Sequence, residues 1–118
     1  MSSSTKPYFY ANCTRVKSSY YRRILYRTMR TEIDTMTLKA YEQVGLEAHP
    51  ANDQLFIVAS GSGIAHVHDT TLDLTPGVLL LVEAGTRHNV IANAEGLSFY
   101  TVYTPPEQPL NVDEKEKK

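Results

Sequence analysis

QLFIVASGSGIAHVHDTTLDLTPGVLLLVE, residues 54–83, is the stretch that decides the fold. It holds the short runs QLFIVASG (54–61), GIAHVH (63–68), TLDLTPG (71–77) and VLLLVE (78–83), rich in β-branched and large apolar residues. Gly61-Ser62-Gly63, Asp69-Thr70 and Pro76-Gly77 separate them, and each separator is turn chemistry. Strand-length runs punctuated in this way are what an all-β sandwich or barrel requires.

The pattern continues on both sides. YRRILYRT (21–28), EIDTMTLKA (32–40) and LEAHP (46–50) precede the stretch; HNVIAN (88–93) and LSFYTVYT (97–104) follow it, with Ala84-Gly85 and Glu95-Gly96 as further turns. The pattern therefore predicts nine short strands. With no crossover helix to join parallel neighbours, an antiparallel barrel or sandwich is expected, and closure also removes exposed edges. Residues 19–30, SYYRRILYRTMR, admit a competing helix because their apolar positions do not settle the period; we read a strand there. Pro105 and Pro106 end the last strand, since proline donates nothing to a ladder and restricts the residue before it.

With 118 residues the chain suits one domain and one core. We divide it into an N-terminal arm over 1–20, partly mobile, a barrel over 21–109 and a charged, mobile tail over 110–118. Twelve Lys+Arg against thirteen Asp+Glu leave a formal net charge of −1, so no broad basic surface points to nucleic acid or an anionic membrane. Cys13 has no internal disulfide partner, and neither a signal peptide nor an apolar run near the ~20 residues of a membrane span is found. A cytoplasmic protein is the expectation, although Asn12-Cys13-Thr14 matches a glycosylation acceptor.

The polar residues of interest lie just before the deciding stretch. Glu47 and His49 are two apart on a strand and emerge from one face; Gln54 follows across the turn 50–53, with Phe56 and Val58 on its own face. His88 opens another strand with Val90 as its same-face neighbour. Imidazole nitrogen, carboxylate oxygen and amide oxygen are all acceptable ligands for a divalent first-row metal. His66 and His68 are a second dyad, but they sit at the end of a run beside a hairpin tip, where a solvated surface is the expected setting.

Two segments resemble the signature motifs of the cupin superfamily, in particular its small single-domain members of the mannose-6-phosphate-isomerase-like kind. The first motif, G(X)5HXH(X)3-4E(X)6G, anchored on Gly61, puts Glu47 and His49 at the two histidines and Gln54 at the glutamate, with Gly45 near the opening glycine. The second, G(X)5PXG(X)2H(X)3N, is matched by Gly77, Gly85 and His88, whereas Glu83 replaces the proline and Ala92 the asparagine. His66 and His68 do not fit, because no acid and glycine follow at the required distances. The resemblance spans about 21–109.

It implies a double-stranded β-helix, or jelly-roll barrel, holding one divalent transition metal (Mn, Fe, Ni, Co or Zn). The ligands would be Glu47, His49, Gln54 and His88, with Phe56, Val58 and Val90 lining the pocket. An oxygen-rich small molecule would bind at the ion for isomerase-like or dioxygenase-like chemistry, with Glu47, if it is not a ligand, or Tyr100 or Tyr103 as candidate bases. A metal-free sugar or small-ligand binding module, and a decayed site with a structural role, remain as alternatives. Tyr8, Phe9, Tyr10, Tyr20 and Tyr21 are more aromatic surface than a free arm should expose, so they are expected to cover the barrel or reach a second subunit, and a homodimer is expected.

Overall fold

A computed structural model describes residues 7–14, 18–107 and 113–117. Every regular element in them is a strand: β1 (Arg22–Arg27), β2 (Glu32–Leu38), β3 (Asp53–Val67), β4 (Thr70–Leu74), β5 (Leu79–Val82) and β6 (His88–Thr104). All pairings are antiparallel. The strand reading of the region around β1 holds and the helical alternative does not.

Six strands replace the nine expected, because Gly61-Ser62-Gly63 and Glu95-Gly96 are bends inside long strands rather than hairpin turns. In the β3–β6 ladder Gly61 pairs with Leu97 and Gly63 with Ala92, so Ser62 alone faces the four residues Asn93–Gly96. Gly61 (φ 79°) and Gly96 (φ 78°) both take the left-handed conformation there. A Cβ on Gly61 would collide with the carbonyl oxygen of Gly96, and one on Gly96 would lie 2.8 Å from that of Leu38. Paired glycines at a β-bulge let two strands bend together and change sheets. The expected strand 46–50 is likewise corrected: between Gly45 (φ 106°) and Pro50 it makes only the isolated bridge Glu47–His88.

The bends create two sheets facing each other. One contains β1, β2, the second half of β6, the first half of β3, and β5. The other contains the segment 42–47, the first half of β6, the second half of β3, and β4. Between them lies a core of Met36, Leu38, Phe56, Val58, Ala65, Leu74, Val90, Ala92, Leu97 and Phe99. The other turns behave as their sequences predict. Pro76-Gly77 closes a turn in which Val78 N–H donates to Thr75 O (3.0 Å), with Gly77 at φ 95° as a type II turn demands.

The arm lies on the outer face of the first sheet. Tyr100 Oη donates to Cys13 O (2.6 Å), Thr37 Oγ1 to Ser18 O (2.8 Å), and the Phe9 ring sits 5.3 Å from that of Tyr26. The tail, expected to be mobile, instead places 113–117 against the free edge of β1. Arg22 and Glu114 exchange both backbone hydrogen bonds (2.9 and 2.8 Å), and Ile24 N–H donates to Asp113 Oδ1 (2.9 Å). That segment covers an edge that would otherwise present unpaired donors and acceptors. Residues 1–6, 15–17, 108–112 and 118, which include parts of the expected arm and tail, lie outside the described residues.

Candidate metal centre

Directly paired residues of an antiparallel ladder point to the same side of the sheet. On the inner face of the first sheet one row is Glu32–Tyr103–Gln54, the next Asp34–Thr101–Phe56, and the next Met36–Phe99–Val58. The interior thus changes from polar to apolar along the strands, and the candidate centre occupies the polar end.

The opposite wall supplies the other groups. Glu47 and His88 exchange backbone hydrogen bonds (2.8 and 2.9 Å), which sets their side chains next to each other. His49 is held by its carbonyl, which accepts from Gly85 N–H (2.8 Å) at the tip of the turn Glu83–Thr86. Glu47, His49 and His88 each present a ligating atom within 4.8 Å of the others. The rings of His49 and His88 lie 5.6 Å apart. Gln54 completes the group, with Oε1 3.1 Å from His88 Nε2. All four residues expected as ligands therefore converge.

Their protonation follows from their neighbours. His49 Nε2 is 3.2 Å from Glu47 Oε1 and Nδ1 is 3.4 Å from Glu107 Oε2. The hydrogen bond to Glu47 raises the His49 pKa against the opposing pull of burial, and Glu107 adds to the rise. Burial pushes the Glu47 carboxyl up, but the hydrogen bond and charge of His49, with Arg22 and His88 behind them, outweigh it and hold the carboxyl below its usual range. Burial pushes the Tyr103 phenol far above its ordinary value, so it keeps its proton and serves as a hydrogen-bonding group rather than a base.

The donor set fits a cation. Thr86 O can only accept, so the 2.9 Å contact with His88 Nδ1 places a ring proton there and leaves Nε2 as the ring atom that faces the centre. Gln54 donates its amide N–H groups to Thr101 Oγ1 (2.9 Å) and Tyr103 Oη (3.2 Å), which turns Oε1 toward that atom. With Nε2 as a lone-pair donor, two acceptors would face each other beside a carboxylate, an arrangement that a bound cation satisfies. One carboxylate among four ligands would leave a divalent ion a net charge of about +1.

The other expected residues fall into separate places. Phe56 packs edge-on to His88, ring centroids 5.9 Å apart, while Val58 and Val90 belong to the apolar core. Tyr103 faces inward, but Tyr100 points to the outer face, where its hydroxyl is committed to Cys13 O, and so is not a base for this centre. His66 lies on the outer face with Nδ1 3.0 Å from Thr71 Oγ1, and His68 sits in the β3–β4 turn at φ 52°. Asp53 caps the Glu83–Thr86 turn by accepting from Ala84 N–H (2.9 Å).

Sequence reasoning missed Thr86, Thr101 and Glu107, which orient the ligands, and the buried group Arg22, Glu32 and Asp34. A signal for the last was present. In EIDTMTL, Glu32 and Asp34 stand in phase with Met36 and Leu38, so alternation alone puts both acids on the core face.

No helix among the described residues is long and apolar enough to cross a membrane. The sequence profile of the cupin domain matches residues 34–103. The uncharacterized protein L612 of Acanthamoeba polyphaga mimivirus is 35% identical over 99 residues, covering 80% of this chain and 62% of that protein. The uncharacterized protein YrkC of Bacillus subtilis is 30% identical over 113 residues, covering 88% and 61% respectively, so the chain spans about three fifths of each relative. The crystal structure of BH2720 from Bacillus halodurans superposes with a TM-score of 0.85 at 27% identity, covering 96% of this chain and 92% of that one. An all-β barrel of two bent sheets, both signature segments in place and a profile match over most of the barrel lead to one conclusion: the chain belongs to the cupin family.

Proposed function

We propose that the barrel holds one divalent transition metal through Glu47, His49, Gln54 and His88, and through it binds a small, oxygen-rich molecule. The supporting observation is the convergence of His88 Nε2 and Gln54 Oε1, 3.1 Å apart and each oriented by a separate hydrogen bond from behind, beside Glu47 and His49. A metal bound there supplies Lewis-acid chemistry at a carbonyl or enediolate oxygen, which suits isomerase-like or dioxygenase-like reactions of the mannose-6-phosphate-isomerase-like cupins. The chain's own residues hold the ligating atoms, keep Tyr103 protonated at the Gln54 amide, and line one side with the Phe56 ring.

Elemental analysis of protein purified without a histidine tag tests this reading. Near-stoichiometric Mn, Fe, Co, Ni or Zn is expected, lost in His49→Ala and His88→Ala; absence of any ion, with no thermal shift on adding Mn(II), Ni(II) or Zn(II), overturns it. A metal-free binding module is favoured by one feature. Turned end for end, the Gln54 amide donates to His88 Nε2 and accepts from the Thr101 and Tyr103 hydroxyls, which satisfies every group with no ion. A second copy of the chain belongs to the proposal as well, supported by the exposed Leu79 (69%) and Leu81 (58%) on the outer face that the arm leaves open. Light scattering showing a monomer rejects the dimer.

A further inference from the structure

On the outer face of the sheet that contains β4 lies a cavity of about 330 Å³, lined by Leu46, His66, His68, Asp69 and Arg87. Its size falls at the lower end of small-molecule pockets, roughly 300–1,000 Å³. The walls follow from the strand pairing. The backbone exchange between Glu47 and His88 turns those two side chains inward, so their neighbours Leu46 and Arg87 project from the opposite side of the same sheet. His66 pairs with Thr71 on one side and Asn89 on the other, and its Nδ1 lies 3.0 Å from Thr71 Oγ1, which orients the ring and leaves Nε2 open. His68 N–H donates to Arg87 O (3.1 Å) and holds the tip of the β3–β4 hairpin beside that wall.

Two observations separate this cavity from ordinary solvated surface. His68 opens the two-residue connection between Val67 and Thr70 at φ 52°, where a glycine would sit without strain, so the imidazole is kept there against the backbone preference. Arg87 and Asp69 line the same cavity with opposite charges, yet neither side chain forms a hydrogen bond or ion pair with any described residue, the other included. A metal ion does not suit the place, because among the described residues only Glu47, His49 and His88 bring three ligating atoms within 4.8 Å of one another. A simple anion would meet Arg87 but also the Asp69 carboxylate, and a simple cation the reverse. A molecule that carries both charges a few bonds apart satisfies each side chain at once. Leu46, 62% exposed, adds an apolar wall.

We infer that this cavity is a second binding site, for a free α-amino acid with an apolar side chain. The carboxylate lies against the Arg87 guanidinium, the ammonium against Asp69 and the side chain over Leu46, with the two imidazoles supplying further hydrogen bonds. The site is on the far side of the sheet from the candidate metal centre and needs no ion.

Calorimetric titration of the full-length protein with L-leucine, isocaproate and isoamylamine tests it, because the last two keep the leucine skeleton but lack the ammonium and the carboxylate respectively. L-Leucine is expected to bind at least about tenfold more tightly than either, since a site built for a polar group rejects the analogue lacking it. Asp69→Asn and Arg87→Met should each weaken L-leucine by about tenfold. His68→Gly, which keeps the turn because glycine takes φ 52° freely, should weaken it as well. The preference should survive treatment with EDTA; leucine binding that EDTA abolishes is chelation at the metal centre, which overturns this site and leaves the metal reading standing. No binding of L-leucine, equal affinity for the three compounds, or an affinity unchanged in both Asp69→Asn and Arg87→Met also overturns it. The same preference in protein that takes up no metal would sink the metal reading alone.

Discussion

The two ends of the barrel interior are lined by the same three strands, β2, β3 and β6, yet they are stabilised in different ways. At one end Met36, Val58, Leu97 and Phe99 interlock with Val90, Ala92 and Ala65, and nothing there needs a hydrogen bond. At the other, Glu32, Asp34, Gln54, Tyr103 and His88 occupy equivalent inward positions, and each requires a partner for every polar atom. Apolar packing at one end pays for the strain of polar groups at the other. The contrast shows a domain that keeps its apolar core and its candidate centre in separate rows of one ladder.

The largest effect should come from the apolar end. Phe99→Ala removes a side chain 1% exposed whose ring packs tilted against that of Phe56, centroids 5.6 Å apart, and chemical denaturation should register a loss of about 3–5 kcal/mol. Metal content per folded molecule should stay the same; a fall in both would show the two ends to be coupled. At the polar end, Thr101→Val deletes the hydroxyl that accepts from Gln54, and titration with Mn(II) or Zn(II) should find affinity weakened by about 10–100-fold. Unchanged affinity would mean that Gln54 needs no anchor or is no ligand.

The pH dependence of stability separates the ends further. Because Asp34 is raised to about 9 in the folded chain, folding favours its protonated form, and that contribution is complete below the unfolded carboxyl range near 4. It declines as pH rises toward about 9. Stability curves of the wild type should therefore fall over this interval relative to Asp34→Asn, which has no proton to lose. Parallel curves would show that Asp34 does not hold a proton in the folded chain near neutral pH.

The smallest effect belongs to the partly buried pair Glu47–His49. The raised His49 contributes fully below about pH 6.5 and loses its contribution as pH rises through its folded value, whereas the lowered Glu47 contributes above about 4.3 and loses its part as pH falls. Both act together between those limits, and a double-mutant cycle should measure no more than about 1 kcal/mol there without metal. A larger coupling would make this pair part of the fold rather than of the centre alone.

Much of the candidate centre was legible in the chain because its candidate ligands sit at fixed offsets from glycines. Gly61 and Gly85 anchor His49, Gln54 and His88 by local geometry, and a two-residue offset on an extended segment puts Glu47 beside His49 whatever surrounds them. The groups that orient those ligands were not legible. Thr86 acts through a carbonyl that any residue supplies, Thr101 is one of many strand threonines, and Glu107 reaches His49 only because the chain turns back after Pro105 and Pro106. Glu32 and Asp34 were readable from alternation, but acids in phase with Met36 and Leu38 look like an error in the phase until burial is seen.

Sequence alone determined the strand class, the alternation that assigns each inward row, and the proline and glycine turns, since these depend on backbone sterics within a few residues. Only the tertiary structure decided that Gly61 and Gly96 bend two strands together instead of closing hairpins, that the segment 113–117 covers β1, and that the Gln54 side chain meets His88. The reason is that a glycine at positive φ serves a turn and a bulge equally well. The choice falls to the partner strand more than thirty residues away, which either leaves room for a reversal or presses its own backbone into the space a Cβ would fill.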